Sequence, residues 1–236
     1  NWMKIFCDKY NLGQDLFLNS ILSNQCIDKN LQLHFLKDQI YLLNSKYKDP
    51  VKIYIDFNDP KFIEKNNQRL HDKKDVFWKV FSQSNSAILD CTAGFGRDSF
   101  LLDSMGHDVT MIENSPIVAM LLKNALRRSN NRNIKLFFGN AYDYMKHSNE
   151  KYDYIYIDFM FEKLKNKSLS SKNDEALKMI SFNDNDKNRI IQLAQSVSNK
   201  KVIVKEPRNT VSGILKPNYI IKTKLLKYNI YLRNDG

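Results

Sequence analysis

The chain has 236 residues, a hydrophobic share of 42% and a formal net charge of +11. This length is enough for one full α/β domain with a small extension, and no stretch approaches the roughly 18 uninterrupted apolar residues of a membrane span. Three widely spaced cysteines and four scattered histidines form no metal-ligand pattern and no disulfide framework. Because the chain also opens without a signal-peptide pattern, we expect a cytoplasmic protein with reduced thiols, no metal and no membrane partner.

The positive charge is concentrated near the end of the sequence. Residues 1–80 carry 13 Lys and Arg against 10 Asp and Glu, and residues 81–198 carry 15 against 14. Residues 199–236 carry 9 against 2, a net charge of +7. A basic surface suits a polyanion such as RNA, although lysine is abundant throughout the chain and compositional bias is an alternative explanation.

The first elements in chain order are short strands followed by a helix. Three segments have the pattern of strands, namely residues 31–36, 39–43 and 51–57. Residues 61–81 have the spacing of a helix, and its candidate buried positions are Phe62, Leu70, Phe77, Val80 and Phe81. We therefore predict a small α+β extension over residues 1–80.

Alternating strands and helices follow from residue 86 onward. The predicted strands cover residues 87–90, 107–112, 134–138, 152–157 and 201–205, and then an antiparallel pair over 219–225 and 227–232. Predicted helices cover about residues 97–105 and 184–198, and a third begins with Ser115 as N-cap and Pro116 at its first position. This alternation indicates a mainly parallel sheet covered on both faces. We therefore predict a Rossmann-like α/β domain over residues 81–236.

A glycine-containing turn connects the first of these strands to its helix. The chain has only seven glycines, and two of them, Gly94 and Gly96, closely follow Asp90. Glycine permits positive φ and close approach of a ligand, and in open α/β sheets such a turn lies at the carboxyl edge where ligands bind. Glu113 ends the next strand, where a carboxylate can accept hydrogen bonds from both hydroxyls of a ribose. The pattern favours a bound nucleoside over a purely structural turn.

The strand predicted over residues 152–157 leads into Asp158-Phe159-Met160-Phe161. An aryl amine is a poor nucleophile because its lone pair is delocalised into the ring, and an acceptor on its hydrogens helps to redirect that lone pair. Asp158 could be this acceptor, and Phe161 could stack on a flipped base. Packing of aromatic side chains at a strand end explains the tetrapeptide equally well at this point.

Together these segments resemble the small-subunit rRNA guanine-N2 methyltransferases called the methyltransferase J family. The resemblance covers most of the chain from about residue 50 and is most specific over residues 90–100, DCTAGFGRDSF. It continues through residues 111–122, 156–161 and 201–205. The sequence departs from the family at Phe159 and Glu162, where the family has prolines.

The resemblance implies a class I methyltransferase that uses S-adenosylmethionine and forms N2-methylguanine in 16S rRNA. Its partner would be 16S rRNA or the 30S subunit, and Asp158 and Phe161 would act at the acceptor amine. From the turn and the resemblance, the residues expected at the cofactor are Asp90, Gly94, Gly96, Arg97, Asp98, Glu113, Asn114, Asn140, Ala141 and Asp158. Glu113 and Asp158 must then lie at one edge of the sheet around a shared site.

Other functions are compatible with the same residues. The fold could methylate another nucleic acid or a small molecule, or it could hold rRNA during ribosome assembly without catalysis. A nucleotide-dependent dehydrogenase is disfavoured because the third glycine of its motif is missing. Candidate phosphate contacts are Lys205, Arg208, Lys216, Lys222 and Lys224, each of which could also be an ordinary solvated side chain.

Overall fold

The computed structural model describes residues 31–36, 38–46, 48–81, 85–129, 133–159, 187–210 and 215–233. The strands of this described part are β1 (Leu31–Leu36), β2 (Gln39–Asn44), β3 (Val51–Ile53), β4 (Ala87–Asp90), β5 (Asp108–Glu113), β6 (Lys135–Phe138), β7 (Tyr152–Asp158), β8 (Ser198–Pro207), β9 (Tyr219–Lys222) and β10 (Leu226–Leu232). Its helices are α1 (Pro60–His71), α2 (Val76–Val80), α3 (Arg97–Ser104), α4 (Pro116–Arg128), α5 (Ala141–His147) and α6 (Lys187–Val197).

Seven of the strands form one sheet in the order β6-β5-β4-β7-β8-β10-β9. Strands β4 to β8 pair in parallel, whereas β10 pairs antiparallel with both β8 and β9. The predicted parallel sheet with an antiparallel C-terminal pair is therefore confirmed. The chain order reverses between β4 and β7, and ligands of open α/β sheets bind outside the carboxyl ends of the strands at such a point.

Helices cover both faces of this sheet. One core cluster joins the sheet to α3 and α4 through residues such as Leu101 and Val118, and it also contains Ile53 of β3. A second cluster lies on the other face and includes Met145 of α5 and Ile191 of α6. The central strands are consequently buried on both faces, which matches their nearly continuous apolar sequences.

The extension packs on the α3 and α4 face. Strands β1, β2 and β3 form a small antiparallel sheet, and the amide of Ile40 donates to Asn124 Oδ1 of α4 at 3.2 Å. At the end of α4, Arg128 pairs with Asp56 at 3.1 Å and donates to the carbonyl of Ile55. One apolar cluster contains residues from both sides of position 80. The division of the chain into two parts at residue 80 stays a prediction.

The prediction of a single helix over residues 61–81 is wrong, because the segment forms two helices, α1 and α2. Asp75 interrupts it by accepting a hydrogen bond from the amide of Phe77 at 2.9 Å as the N-cap of α2. Asp59 caps α1 in the same way through the amide of Phe62. Two predicted strands are also shorter than expected, since β3 ends at residue 53 and β9 at residue 222.

The turn between β4 and α3 depends on its glycines. Gly94 and Gly96 have φ angles of +53° and +71°, a region that L-residues with a Cβ rarely adopt. A Cβ on Gly96 would also lie 2.8 Å from Leu122 Cδ1 and 3.0 Å from Phe57 Cζ. Gly96 therefore lets the loop pass close to both α4 and the extension.

Replacing Gly96 by alanine should destabilise the protein through both backbone strain and this clash. We expect Gly96→Ala to lower the free energy of unfolding by about 2–4 kcal/mol, the combined size of left-handed strain and overpacking. Gly106→Ala is the matched control, because Gly106 has φ +88° but a Cβ there meets only Asn85 Oδ1 at 3.6 Å. Urea denaturation should show a clearly smaller loss for Gly106→Ala, and equal losses would contradict the close approach at Gly96.

Candidate active site at the carboxyl edge of the sheet

The loop of residues 91–96 joins the ends of β5 and β7. The amide of Cys91 donates to the carbonyl of Tyr156 at 2.9 Å on the β7 side, and the amide of Ala93 donates to the carbonyl of Ile112 at 3.1 Å on the β5 side. On the β7 side, Thr92 Oγ1 also accepts a hydrogen bond from the amide of Asp158 at 2.7 Å.

The same loop holds Glu113, since the amide of Gly94 donates to Glu113 Oε2 at 2.8 Å. Asp90 in β4 pairs with Met111 in β5 and with Tyr156 in β7. Glu113 and Asp158 are each two residues further along their strands. The two acids therefore lie at the same edge around one loop, as the sequence interpretation requires.

Glu113 is a buried carboxylate, and its hydrogen-bond donors among the described residues are backbone amides. Oε1 accepts from the amide of Ser115 at 2.7 Å and Oε2 from the amide of Gly94 at 2.8 Å. Burial outweighs these hydrogen bonds and raises the pKa of Glu113 to about 7. A carboxylate has about four acceptor positions, so further donors can still bind, and they would stabilise the charged form.

Asp90 lies beneath the loop. Its carboxylate accepts hydrogen bonds from Ser99 Oγ at 2.5 Å and from the amide of Thr92 at 3.0 Å. Burial raises the pKa of Asp90 to about 7. Both of its oxygens thus brace the loop and the start of α3, and a contact between Asp90 and a ligand stays a prediction.

A buried ion cluster surrounds Asp98 and Asp158. Lys205 Nζ lies 2.6 Å from Asp98 Oδ2 and 2.8 Å from Asp158 Oδ2. Arg69 of α1 approaches Asp98 Oδ1 at 3.3 Å, and the hydroxyl of Tyr156 donates to Asp98 Oδ2 at 2.7 Å. We call these five residues the ion cluster. Its geometry fixes one oxygen of Asp158 against a cation.

The charges of the ion cluster reinforce one another. Burial opposes the ionised form of Asp98, but Lys205 and Arg69 outweigh it and hold the pKa of that carboxyl well below its usual range. Burial likewise opposes the charged form of Lys205, but Asp98 and Asp158 raise the pKa of the ammonium well above its ordinary value. Asp98 and Lys205 therefore carry full charges at neutral pH.

Lys205 is not the exposed phosphate contact that the sequence suggested. Its side chain is only 14% exposed and is paired with two acids, so its ammonium is committed inside the protein. The signal was present in the sequence, because a lysine ending the apolar run Val202–Val204 in a sheet covered on both faces requires a buried partner. Arg69 and Tyr156, which share Asp98 with it, were not anticipated.

The other predicted site residues lie at the same edge with different surroundings. Asn140 Oδ1 caps α5 by accepting from the amides of Tyr142 at 2.7 Å and Asp143 at 3.3 Å, and Ala141 is buried at the first helical position. Asn114 is half-buried directly after Glu113. The exposed Arg97 lines a cavity of about 230 Å³ between the loop and the extension.

Only the beginning of the predicted amine-recognition loop is described. Phe159 packs against the second core cluster, its amide donates to the carbonyl of Lys205 at 3.0 Å, and Lys187 Nζ lies 4.8 Å from its ring centroid. Phe159 therefore has a packing role. Phe161, the predicted stacking platform, lies outside the described residues, and so does Glu162.

Comparison with known proteins assigns the chain to a family. A family model described as "Putative SAM-dependent methyltransferase" matches residues 19–233. The chain belongs to this methyltransferase family. S-adenosylmethionine is the cofactor that the family implies, and this match together with the curated relatives confirms the resemblance stated from the sequence.

Curated relatives of this methyltransferase carry the name ribosomal RNA small subunit methyltransferase J. One from Hydrogenovibrio crunogenus is 33% identical over 165 residues, which cover 64% of this chain and 59% of that protein. One from Francisella tularensis subsp. novicida is 29% identical, with 87% and 92% covered. One from Buchnera aphidicola is 30% identical, with 72% and 74% covered. The match spans less than two thirds of the Hydrogenovibrio protein and most of the Francisella protein.

A solved structure shares the fold of this methyltransferase. The crystal structure of a SAM-dependent methyltransferase from Neisseria gonorrhoeae aligns with a TM-score of 0.66 at 24% identity and covers 93% of this chain and 92% of that one. The Rossmann-like methyltransferase fold is therefore confirmed. Within the described residues, no helix is both long and apolar enough to span a bilayer, and no group of three His, Cys, Asp or Glu side chains is arranged to hold a metal ion.

The residues at the carboxyl edge fit the cofactor of this methyltransferase family. The buried carboxylate of Glu113 is held by two amides and can take further donors, as the two hydroxyls of a ribose would supply. Gly94, at φ +53°, leaves the loop without a side chain next to Glu113, which permits close approach of a ligand.

Removing the cation of the ion cluster should cost much of the protein's stability. Lys205→Met would leave Asp98 and Asp158 buried without their shared partner, and we expect a loss of about 3–5 kcal/mol in the free energy of unfolding. Lys222→Met, at an exposed position of β9, should change it by less than about 0.5 kcal/mol. Urea denaturation at neutral pH measures both, and a small effect at Lys205 would contradict the buried pairing.

Proposed function

We propose that this protein transfers a methyl group from S-adenosylmethionine to the exocyclic N2 of a guanine in 16S rRNA of the small ribosomal subunit. The observation that carries the proposal is the meeting of Glu113 and Asp158 around one glycine-containing loop in a chain of the SAM-dependent methyltransferase family. The rRNA substrate is supported by the name of the relatives, ribosomal RNA small subunit methyltransferase J.

Glu113 would hold the ribose of the cofactor in this proposal. Its two oxygens are oriented by the amides of Gly94 and Ser115, so vicinal hydroxyl donors meet a fixed acceptor. Asn114 would assist at the ribose, and the backbone at Asn140 and Ala141 would lie near the adenine. Asp90, Gly94, Gly96, Arg97, Asp98 and Asp158 complete the proposed cofactor site.

When bound, S-adenosylmethionine supplies an electrophilic methyl group next to the acceptor amine. Asp158 would accept a hydrogen bond from that amine and orient its lone pair. Lys205 holds Asp158 Oδ2 at 2.8 Å, and the amide of Asp158 is bound to Thr92 Oγ1, so both ends of the residue are restrained. Such positioning supplies much of the rate enhancement of a direct transfer, and the amine proton would leave to water. Phe161 would stack on the guanine.

The proposed partner is 16S rRNA or the 30S subunit, and the proposed location is the cytoplasm, where bacterial ribosomal subunits are assembled. The charge distribution supports a polyanionic partner, because residues 199–236 carry 9 Lys and Arg against 2 Asp and Glu. The extension and the methyltransferase domain, divided near residue 80, would act together on this substrate, since Arg69 of α1 reaches Asp98 at the site.

Nucleoside binding should depend on the ionisation of Glu113. With a pKa of about 7 in the free protein, Glu113 is mostly neutral at pH 6 and mostly ionised at pH 8, and only the ionised form accepts two hydroxyl donors. Affinity for 5′-methylthioadenosine, which has no group titrating in this range, should therefore rise about tenfold from pH 6 to pH 8. Calorimetry on Glu113→Gln should show weaker binding without this rise, and a flat wild-type profile would exclude the ribose role.

Asp158→Asn should cut methyl transfer by at least about a hundredfold, because the charged acceptor for the amine is lost. The measurement is transfer of tritium from labelled S-adenosylmethionine into 30S subunits that lack the modification, with cofactor affinity measured in parallel. Asp153→Asn is the matched control, because Asp153 is on the same strand and pairs with Lys200 at 3.3 Å away from the carboxyl edge. An inactive wild-type protein would favour a non-catalytic rRNA-binding function, and an active Asp158→Asn would remove Asp158 from the mechanism.

A further inference from the structure

The turn between β9 and β10 lies at the same edge of the sheet as the candidate active site. Strand β10 runs antiparallel to β8, and Leu226 pairs with Pro207 at the carboxyl end of β8. We call residues 222–225, together with Arg208 beside them, the basic tip. Its cations Arg208, Lys222 and Lys224 are all exposed, and the sequence has no acidic residue from 207 to 234.

The five phosphate candidates of the sequence are thereby separated by position. Lys205 is internal to the ion cluster, and Lys216 precedes β9 and so lies toward the opposite end of the strand pair. Arg208, Lys222 and Lys224 remain at the carboxyl edge. The nearby Lys227 is buried and is committed to Glu206 and to the carbonyl of Thr210.

The backbone of the basic tip is braced. The amide of Thr223 donates to the carbonyl of Leu226 at 2.8 Å, and the amide of Arg208 donates to the carbonyl of Leu225 at 2.9 Å. Arg208 Nη1 donates to the carbonyl of Thr223 at 2.9 Å, and the amide of Leu226 donates to Thr223 Oγ1 at 3.0 Å. These bonds hold the turn in one shape without covering its side chains.

Leu225 projects from this braced turn with 74% of its surface exposed, more than any other large hydrophobic side chain in the described residues. Edge-strand lysines by themselves are a common protection against aggregation. Protection does not explain an apolar side chain placed between cations at the tip. Apolar side chains of this kind are used by nucleic-acid-binding proteins as wedges between bases.

The distance between Leu225 and Asp158 suits such a wedge. Asp158, Lys205 and Tyr228 form one row across β7, β8 and β10. Leu225 is three residues beyond that row and two strands across, which puts it about 14 Å from Asp158 at ~3.3 Å per residue and ~4.8 Å per strand. A few nucleotides of RNA bridge this span.

We propose that the basic tip is the docking surface for the RNA that flanks the modified base, with Arg208, Lys222 and Lys224 at its phosphates and Leu225 inserted into the stack that the base leaves. This inference rests on the proposed rRNA methyltransferase activity. An enzyme acting on a base in a stack must extrude it, at a cost of a few kcal/mol, and an apolar side chain that enters the gap offsets part of that cost.

The lysines and the leucine have different measurable effects. Lys222→Gln/Lys224→Gln should weaken binding to 30S subunits lacking the modification by about tenfold. The slope of the logarithm of the binding constant against the logarithm of the salt concentration should become shallower by about 1.4, at ~0.7 per phosphate contact. Leu225→Ala should change the dissociation constant less than about threefold but slow single-turnover methyl transfer about tenfold, because extrusion and not docking is impaired. All variants should keep wild-type cofactor affinity.

Matched controls are available at the other end of the same strands. Leu232→Ala removes an exposed leucine from the far end of β10, and Lys200→Gln/Lys216→Gln removes two lysines away from the carboxyl edge. Both should behave as the wild-type protein in filter binding and in single-turnover transfer. Tip variants that match these controls, while the wild-type protein is active, would overturn the inference and leave the proposed function intact.

Two further results would overturn the proposed docking surface for other reasons. If the tip variants lose affinity for intact 30S subunits but keep it for protein-free 16S rRNA, the basic tip contacts a ribosomal protein instead of RNA. If the wild-type protein neither binds nor methylates either substrate, the proposed function fails and the docking surface falls with it.

Discussion

The contact on which the carboxyl edge depends is the ammonium of Lys205 between Asp98 and Asp158. Four buried or largely buried carboxylates, those of Asp90, Asp98, Glu113 and Asp158, converge at this edge. Lys205 and Arg69 keep the pKa of Asp98 low, whereas burial raises the pKa of Asp90 and Glu113 to about 7. The edge therefore has acceptors in excess of its cations, an environment that favours a ligand with hydroxyl donors and a positive charge, as S-adenosylmethionine has.

The ion cluster also connects the extension to the site. Arg69 is on α1, and it joins Asp75 at 2.9 Å to Asp98 at 3.3 Å. Beside this polar link, Phe57 stacks on Phe100 with ring centroids 4.9 Å apart. A displacement of α1 would thus disturb Asp98, then Lys205 and finally Asp158. The extension supports the geometry of the acid that we place at the acceptor amine.

Local patterns predicted the fold and the two acids because both are encoded by neighbouring residues. Mainly apolar segments of four to seven residues ending at Asp90, Glu113 and Asp158 locate the strands, and Ser115-Pro116 marks the start of α4 with Ser115 capping it as expected. The ion cluster could not be predicted in this way, because Lys205 and Asp98 are 107 residues apart. The division between α1 and α2 was missed for a local reason, since the cap formed by Asp75 outweighs the apolar periodicity on either side.

The strand order arranges opposite charges along a single edge. From β5 through β4 to β7 the strands end in Glu113, Asp90 and Asp158, and beyond β7 the basic tip presents Arg208, Lys222 and Lys224. A cationic cofactor is favoured over the acidic half and a polyanionic strand over the basic half. Lys205 lies at the border and pairs with Asp158 on the acidic side, so it screens this carboxylate from the approaching phosphates. The proposed acceptor amine would then lie where the two halves meet. Only there can a nucleotide place its base next to the methyl donor while its neighbouring phosphates contact the cations.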